Sequence, residues 1–169
     1  MNPWIPWIAG SVAVMAVVAA CRGTAAEDSG SAPAASPDPV PLAAQELVRG
    51  NLSSVRAQEV AIARNEDEWL VLWRRHGGLQ LPGPALPDVD FESSMVVATF
   101  LGERPTGGFS VDVRAVDHLP ATAETEERVM VTAVERTPLE DTIQPQVLVA
   151  PFHMVVVPRC AGVAELRME

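Results

Sequence analysis

The chain contains no lysine and no tyrosine, and only two of its 169 residues are cysteine. All 12 basic residues are therefore arginines, set against 22 Asp+Glu, and the formal net charge is −10. An acidic chain repels phosphate backbones, which argues against a nucleic-acid partner. The Gly-containing stretch "GERPTGG" is no phosphate loop, because it lacks the G-K-[ST] ending and Glu103 would oppose phosphate. Cys21 and Cys160 are too few for a disulfide framework, particularly if the first serves another chemistry. His76, His118 and His153 fall one per element, with no H-x-H or C-x-x-C spacing, so neither a metal site nor a cofactor is expected. No G-x-S-x-G nucleophile elbow is present. Cys160 with His153 would need an orienting third group that the sequence does not identify, so Cys160 is read as half-buried and inert. The acidic "ETEE" at 124–127 lacks calcium-loop spacing and reads as a solvated turn.

What is present begins at the N-terminus. "MNPWIPWIAGSVAVMAVVAAC" is apolar from Trp4 to Ala20 and then changes abruptly to "RGTAAEDSGSAPAASPDPVP". The pattern is that of a secretory signal peptide over 1–21. Val18-Ala19-Ala20-Cys21 resembles the lipobox of bacterial lipoproteins, which implies that Cys21 becomes the first mature residue and carries the lipid. No Lys or Arg precedes the apolar run, which departs from the usual n-region; the alternative is a short uncleaved membrane anchor. Arg22 stands where inner-membrane retention commonly has Asp, which favours an outer-membrane or cell-surface location. Residues 22–41 are rich in Ala, Ser, Pro and Gly and read as a tether. Fully extended, about twenty residues reach roughly 65 Å at ~3.3 Å each.

Residues 42–169 read as one folded domain. In "NEDEWLVLWRRHGG", Asn65 suits an N-cap, Glu68 stands three residues on, and Glu66, Asp67 and Glu68 lie at the positive end of the helix dipole. Arg74, Arg75 and His76 lie at the negative end, and Gly77 is the expected stop. Trp69, Leu72, Trp73 and His76 form one stripe, read as core. Strands are expected in 43–49, 55–64, 94–101, 109–116, 128–135 and 152–158, with "SMVVATFL" apolar enough to be covered on both faces. His153 alternates away from Phe152 and Met154 and is expected to face solvent. One helix followed by strands without intervening helices indicates an α+β fold, mainly antiparallel sheet with the amphipathic helix packed on it.

"GERPTGGF", residues 102–109, joins two of these strands and is expected to close a hairpin between them. Pro105 and Gly107 suit the second and fourth positions of a turn, and Gly107 and Gly108 accept positive φ. Its polar residues exceed what a turn needs. The loop is thus also a candidate partner-binding element, comprising Glu103, Arg104, Pro105, Thr106, Gly107, Gly108 and Phe109.

The run "VVATFLGERPTGGFSVDV", the later "PFHMVVVPR" and the helix "NEDEWLVLW" together resemble the C-terminal domain of the protease-complex subunit PrcB family, over roughly residues 42–160. The resemblance implies a secreted or lipid-anchored non-enzymatic protein that associates with, and stabilises, a protein such as a secreted protease. It carries over no catalytic residue. Phe109 stands where tyrosine is frequent, which removes a hydroxyl contact. "RPTGGF" at 104–109 is also similar to the "NPTTG-aromatic" loop of chagasin-type cysteine-protease inhibitors, although the G-x-G-G and R-P-W loops of that family are not recognisable here. The expected function is a lipid-anchored binding module. The alternatives are a protease inhibitor using 104–109 and a periplasmic small-ligand-binding protein. The oligomeric state is left open.

Overall fold

A computed structural model describes residues 38–78, 83, 85–139 and 143–169. The expected signal peptide, Cys21 and the tether up to residue 37 lie outside the described residues. In chain order the elements are β1 (Val40–Pro41), β2 (Gln45–Gly50), β3 (Glu59–Ala63), α1 (Glu66–Gly77), β4 (Ser94–Phe100), β5 (Ser110–Leu119), β6 (Arg128–Arg136), β7 (Phe152–Pro158) and β8 (Val163–Met168).

Local chemistry accounts for the helix. Asn65 Oδ1 accepts the Glu68 N–H at 2.9 Å, and Asn65 Nδ2 donates to Glu68 Oε1 at 2.8 Å. This satisfies one of the donors that a helix start leaves orphaned. Gly77 is the last helical residue, and the stop falls one residue later: Gly78 takes φ 57° and returns its N–H to the Arg74 carbonyl at 2.9 Å. Trp69, Leu72, Trp73 and His76 are all buried, as the stripe predicts.

The strands form two four-stranded sheets, ordered β2-β7-β4-β3 and β1-β5-β6-β8. All pairs are antiparallel except β6 with β8, which run parallel. The α+β class is as expected, with the strands divided between two layers. β4 explains the division. Val96, Ala98 and Phe100 pack with Trp69, Leu72 and Trp73 of the helix. Met95 and Val97, on the opposite face, pack with Val116, Val129 and Val131 of the second sheet. β7 alternates in the same way, with Met154 toward the helix and Val155 and Val157 toward the second sheet. The helix, first sheet and second sheet thus stack as three layers, and β4 and β7 are buried on both faces. Each large apolar side chain so buried contributes about 1.5–3 kcal/mol.

Three expectations are corrected. Residues 102–109 do not close a hairpin, because β4 and β5 belong to different sheets. β4 already pairs with β3 and β7 on its two edges, so β5 has no edge of it to join. His153 does not face solvent: it is 5% exposed, and its Nδ1 accepts the Val113 N–H of the opposite sheet at 2.9 Å. The ordered sheet begins inside the stretch read as tether, with Val40 and Pro41 paired to His118 and Asp117. β8 was not expected, although Ala164, Leu166 and Met168 alternate inward at period two.

Candidate partner-binding site

The loop between the two sheets is held at nearly every residue. Gly102, at φ 80°, turns the chain out of β4, and a Cβ there would lie 2.8 Å from the Arg56 carbonyl oxygen. Only glycine fits both conditions. The Glu103 N–H donates to that same carbonyl at 3.0 Å, and the Glu103 carboxylate receives Arg56 Nη1 at 3.0 Å. Arg104 exchanges two backbone hydrogen bonds with Val149, at 2.7 and 3.0 Å. Its guanidinium grips Glu135 of β6 with two parallel bonds, Nε to Oε1 at 2.8 Å and Nη2 to Oε2 at 3.0 Å. Those bonds hold the Glu135 carboxyl below the usual carboxylate range, against partial burial that works the other way. Arg104, one of the candidate partner-binding residues, is committed within the molecule.

Beyond it, Pro105 is exposed and Thr106 half-exposed. Gly107 is buried against Pro145 and donates its N–H to the Pro145 carbonyl at 2.9 Å. Its φ is not positive; that role falls to Gly108, at φ 89°. Phe109 is half-buried and packs on Leu101, Val111 and Ala133. Of the seven residues expected to bind a partner, Pro105, Thr106, Gly108 and one face of Phe109 are therefore presented outward, and Glu103, Arg104 and Gly107 hold them there.

The loop is only half of the site. Segment 145–150 lies between the loop and residues 51–53. Val149 bridges Arg104 on one side, and Ala150 pairs with Leu52 on the other. Val147 and Leu148 stand 50% and 59% exposed, and Leu52, beside Ala150, is 62% exposed. A signal was available: "QPQVLVAP" carries four apolar residues between two prolines, a run that no regular strand of the domain accounts for. Flanking the loop is an open groove of about 620 Å³, lined by Arg49, Gly108, Phe109, Asp112, Arg136 and Phe152 among others. Asp112 is paired with Arg136 and, at 3.3 Å, with Arg49, and both lower its pKa, Arg136 the more.

No converging chemistry accompanies this surface. Among the described residues, no three His, Cys, Asp or Glu side chains gather as a metal site. Cys160 lies two residues beyond the far end of β7 from His153, so the two form no pair, and burial pushes its thiol pKa up, away from the reactive thiolate.

These features define an α+β domain whose distinguishing surface is a braced loop cluster. Residues 95–158, from β4 through β7, match the family model described as PrcB C-terminal. The match includes the 102–109 loop and the 145–150 segment and leaves outside it Leu52 and the helix that shares in the sequence resemblance. No curated protein and no solved structure matches the chain significantly.

Proposed function

We propose that the chain is a non-enzymatic binding module, anchored to the cell envelope through lipid on Cys21, that docks an envelope or surface protein through the 102–109 loop and the adjoining 145–150 segment. A secreted protease is the first partner class to test, since the matched family takes its name from a protease-complex subunit. The observation that carries the proposal is the bracing of the loop. Arg104, Glu103, Gly107 and two positive-φ glycines fix a solvent-facing tip next to exposed Leu52, Val147 and Leu148. A surface ordered before binding loses less entropy on association. Exposed apolar residues grouped on a rigid frame are also a common mark of protein contact.

Co-purification from native membranes tests the reading. The partner is expected to be an envelope protein, and an activity assay on it, if it is a protease, separates stabilisation from inhibition. Failure to retain any envelope protein would overturn the docking role. The anchor is tested separately. Acyl chains contribute about 0.8 kcal/mol per buried CH₂, so Cys21→Ser is expected to release the protein from membranes or stall its processing. Unchanged mass and membrane partitioning would defeat the lipid anchor.

A further inference from the structure

A sheet edge is a template for another strand unless something blunts it. The two sheets have four edges, and three are blunted. β1 is two residues long and contains Pro41. β2 carries Glu46 and Arg49 and a register irregularity between Glu46 and Val48. β8 places Glu165 and Arg167 outward. β3, "EVAIA", has no proline, no bulge and no charge after Glu59. Its inner side pairs with β4 from Glu59 to Ala63, and among the described residues no backbone group of β3 bonds on the outer side.

The outer edge of β3 opens onto an apolar groove whose other wall is α1, lined by Ala61, Ile62, Val71 and Leu72 and ended by Asp67 and Glu68 on one side and Arg75 on the other. Asp67, Val71 and Arg75 are spaced four apart and make one stripe along the helix. Val71, at its centre, is 66% exposed. The stripe is acidic at one end, apolar in the middle and basic at the other. Arg75 is held at its end by Glu59 and by the Phe100 ring, 5.9 Å from the guanidinium carbon.

We propose that this edge and stripe form the two-fold interface of a dimer of the chain. A second copy related by an axis near Ala61 and Val71 lays its β3 antiparallel against the first, extending the sheet from four strands to eight. The same axis sets the two helices antiparallel. Val71 then meets its counterpart, and Asp67 of each copy meets Arg75 of the other. The pattern is self-complementary, as an isologous contact requires. A foreign strand would satisfy the β3 edge but would give no reason for the charge symmetry of the helix stripe.

The test uses the full chain in density-matched detergent, with mass read by sedimentation equilibrium and fold checked by thermal unfolding. Wild type is expected at twice the monomer mass. Val71→Arg, at an exposed position, is expected to be monomeric, with cooperative unfolding retained and a melting temperature lowered only by the loss of association. Arg75→Glu and Asp67→Arg each place like charges at both contacts, so each alone is expected to be monomeric. An equimolar mixture of these two places opposite charges at both contacts and is expected to recover the dimer. A monomeric wild type, a dimer indifferent to Val71→Arg, or a mixture that stays monomeric would overturn the proposal. Pairing of β3 only with a strand from another protein would appear as the first of these outcomes.

Discussion

At the residue scale the most informative side chain is Arg104. Its two bonds to Glu135 are partly shielded, with side-chain exposures of 23% and 27%, so truncation leaves a half-buried carboxylate without its partner. Arg104→Ala is expected to cost about 1–2 kcal/mol, beyond the small effect of an ordinary surface change. Chemical denaturation checks this, and a loss under 0.5 kcal/mol would show that the pair is merely a surface one. The histidines set a different residue-scale property. Burial lowers the pKa of both His76 and His153, so the folded state holds them neutral while the unfolded chain binds protons at about pH 6.5. With folded pKa below unfolded pKa, the unfolded state takes up more protons in this window. Stability is therefore complete above about pH 6.5 and falls as the pH drops below it. His153 Nδ1 already accepts the Val113 N–H, so protonation there would also break a bond between the sheets. His153→Gln is expected to flatten the decline in melting temperature between pH 7 and 5 without removing the share due to His76. An unchanged slope would place the sensitivity elsewhere.

At the scale of elements, the loop rests on its glycines in two distinct ways. Gly102 combines φ 80° with backbone atoms 2.8–3.0 Å from where a Cβ would stand, so neither side chain nor backbone can give way. Gly107 has ordinary φ and would press only on the Pro145 ring, at 3.1 Å. Gly102→Ala is expected to cost about 2–3 kcal/mol and Gly107→Ala clearly less, measured by thermal unfolding. Equal losses would mean that Gly102 is not the hinge between the sheets. These elements also show what was legible beforehand. The helix was legible to within a residue because its cap, charges and stripe are local. β4 was legible as a doubly covered strand because both its faces are apolar. The hairpin reading failed because strand pairing is decided by competition for edges, and β3 and β7 hold both edges of β4 through contacts distant in sequence. His153 looked solvent-facing for a related reason: its side of β7 is covered by a second sheet that alternation in one strand does not reveal. Of the candidate site, the loop was legible from its proline and glycines. The Glu135 partner and the 145–150 brace were not, being 31 and about 40 residues away.

At the scale of the whole molecule, the three layers cover β4 and β7 on both faces over most of their length and leave the loop cluster at one end of both strands, where β4 finishes and β7 begins. The matched residues 95–158 span these strands, the 102–109 loop and the 145–150 segment, while Leu52 and Arg56 join the cluster from outside the match. Binding is proposed to rest on what the cluster exposes, namely Pro105, Thr106, Leu52, Val147 and Leu148, with Arg104 and the buried glycines as support. Leu148 separates the two roles best, since it is 59% exposed and makes no side-chain bond that holds the loop. The direct test is the affinity of the membrane-purified partner for Leu148→Asp beside wild type, with melting temperature measured on both. The account predicts at least a tenfold loss of affinity, about 1.4 kcal/mol, with the melting temperature unchanged. Equal affinity of the two proteins for that partner would contradict it.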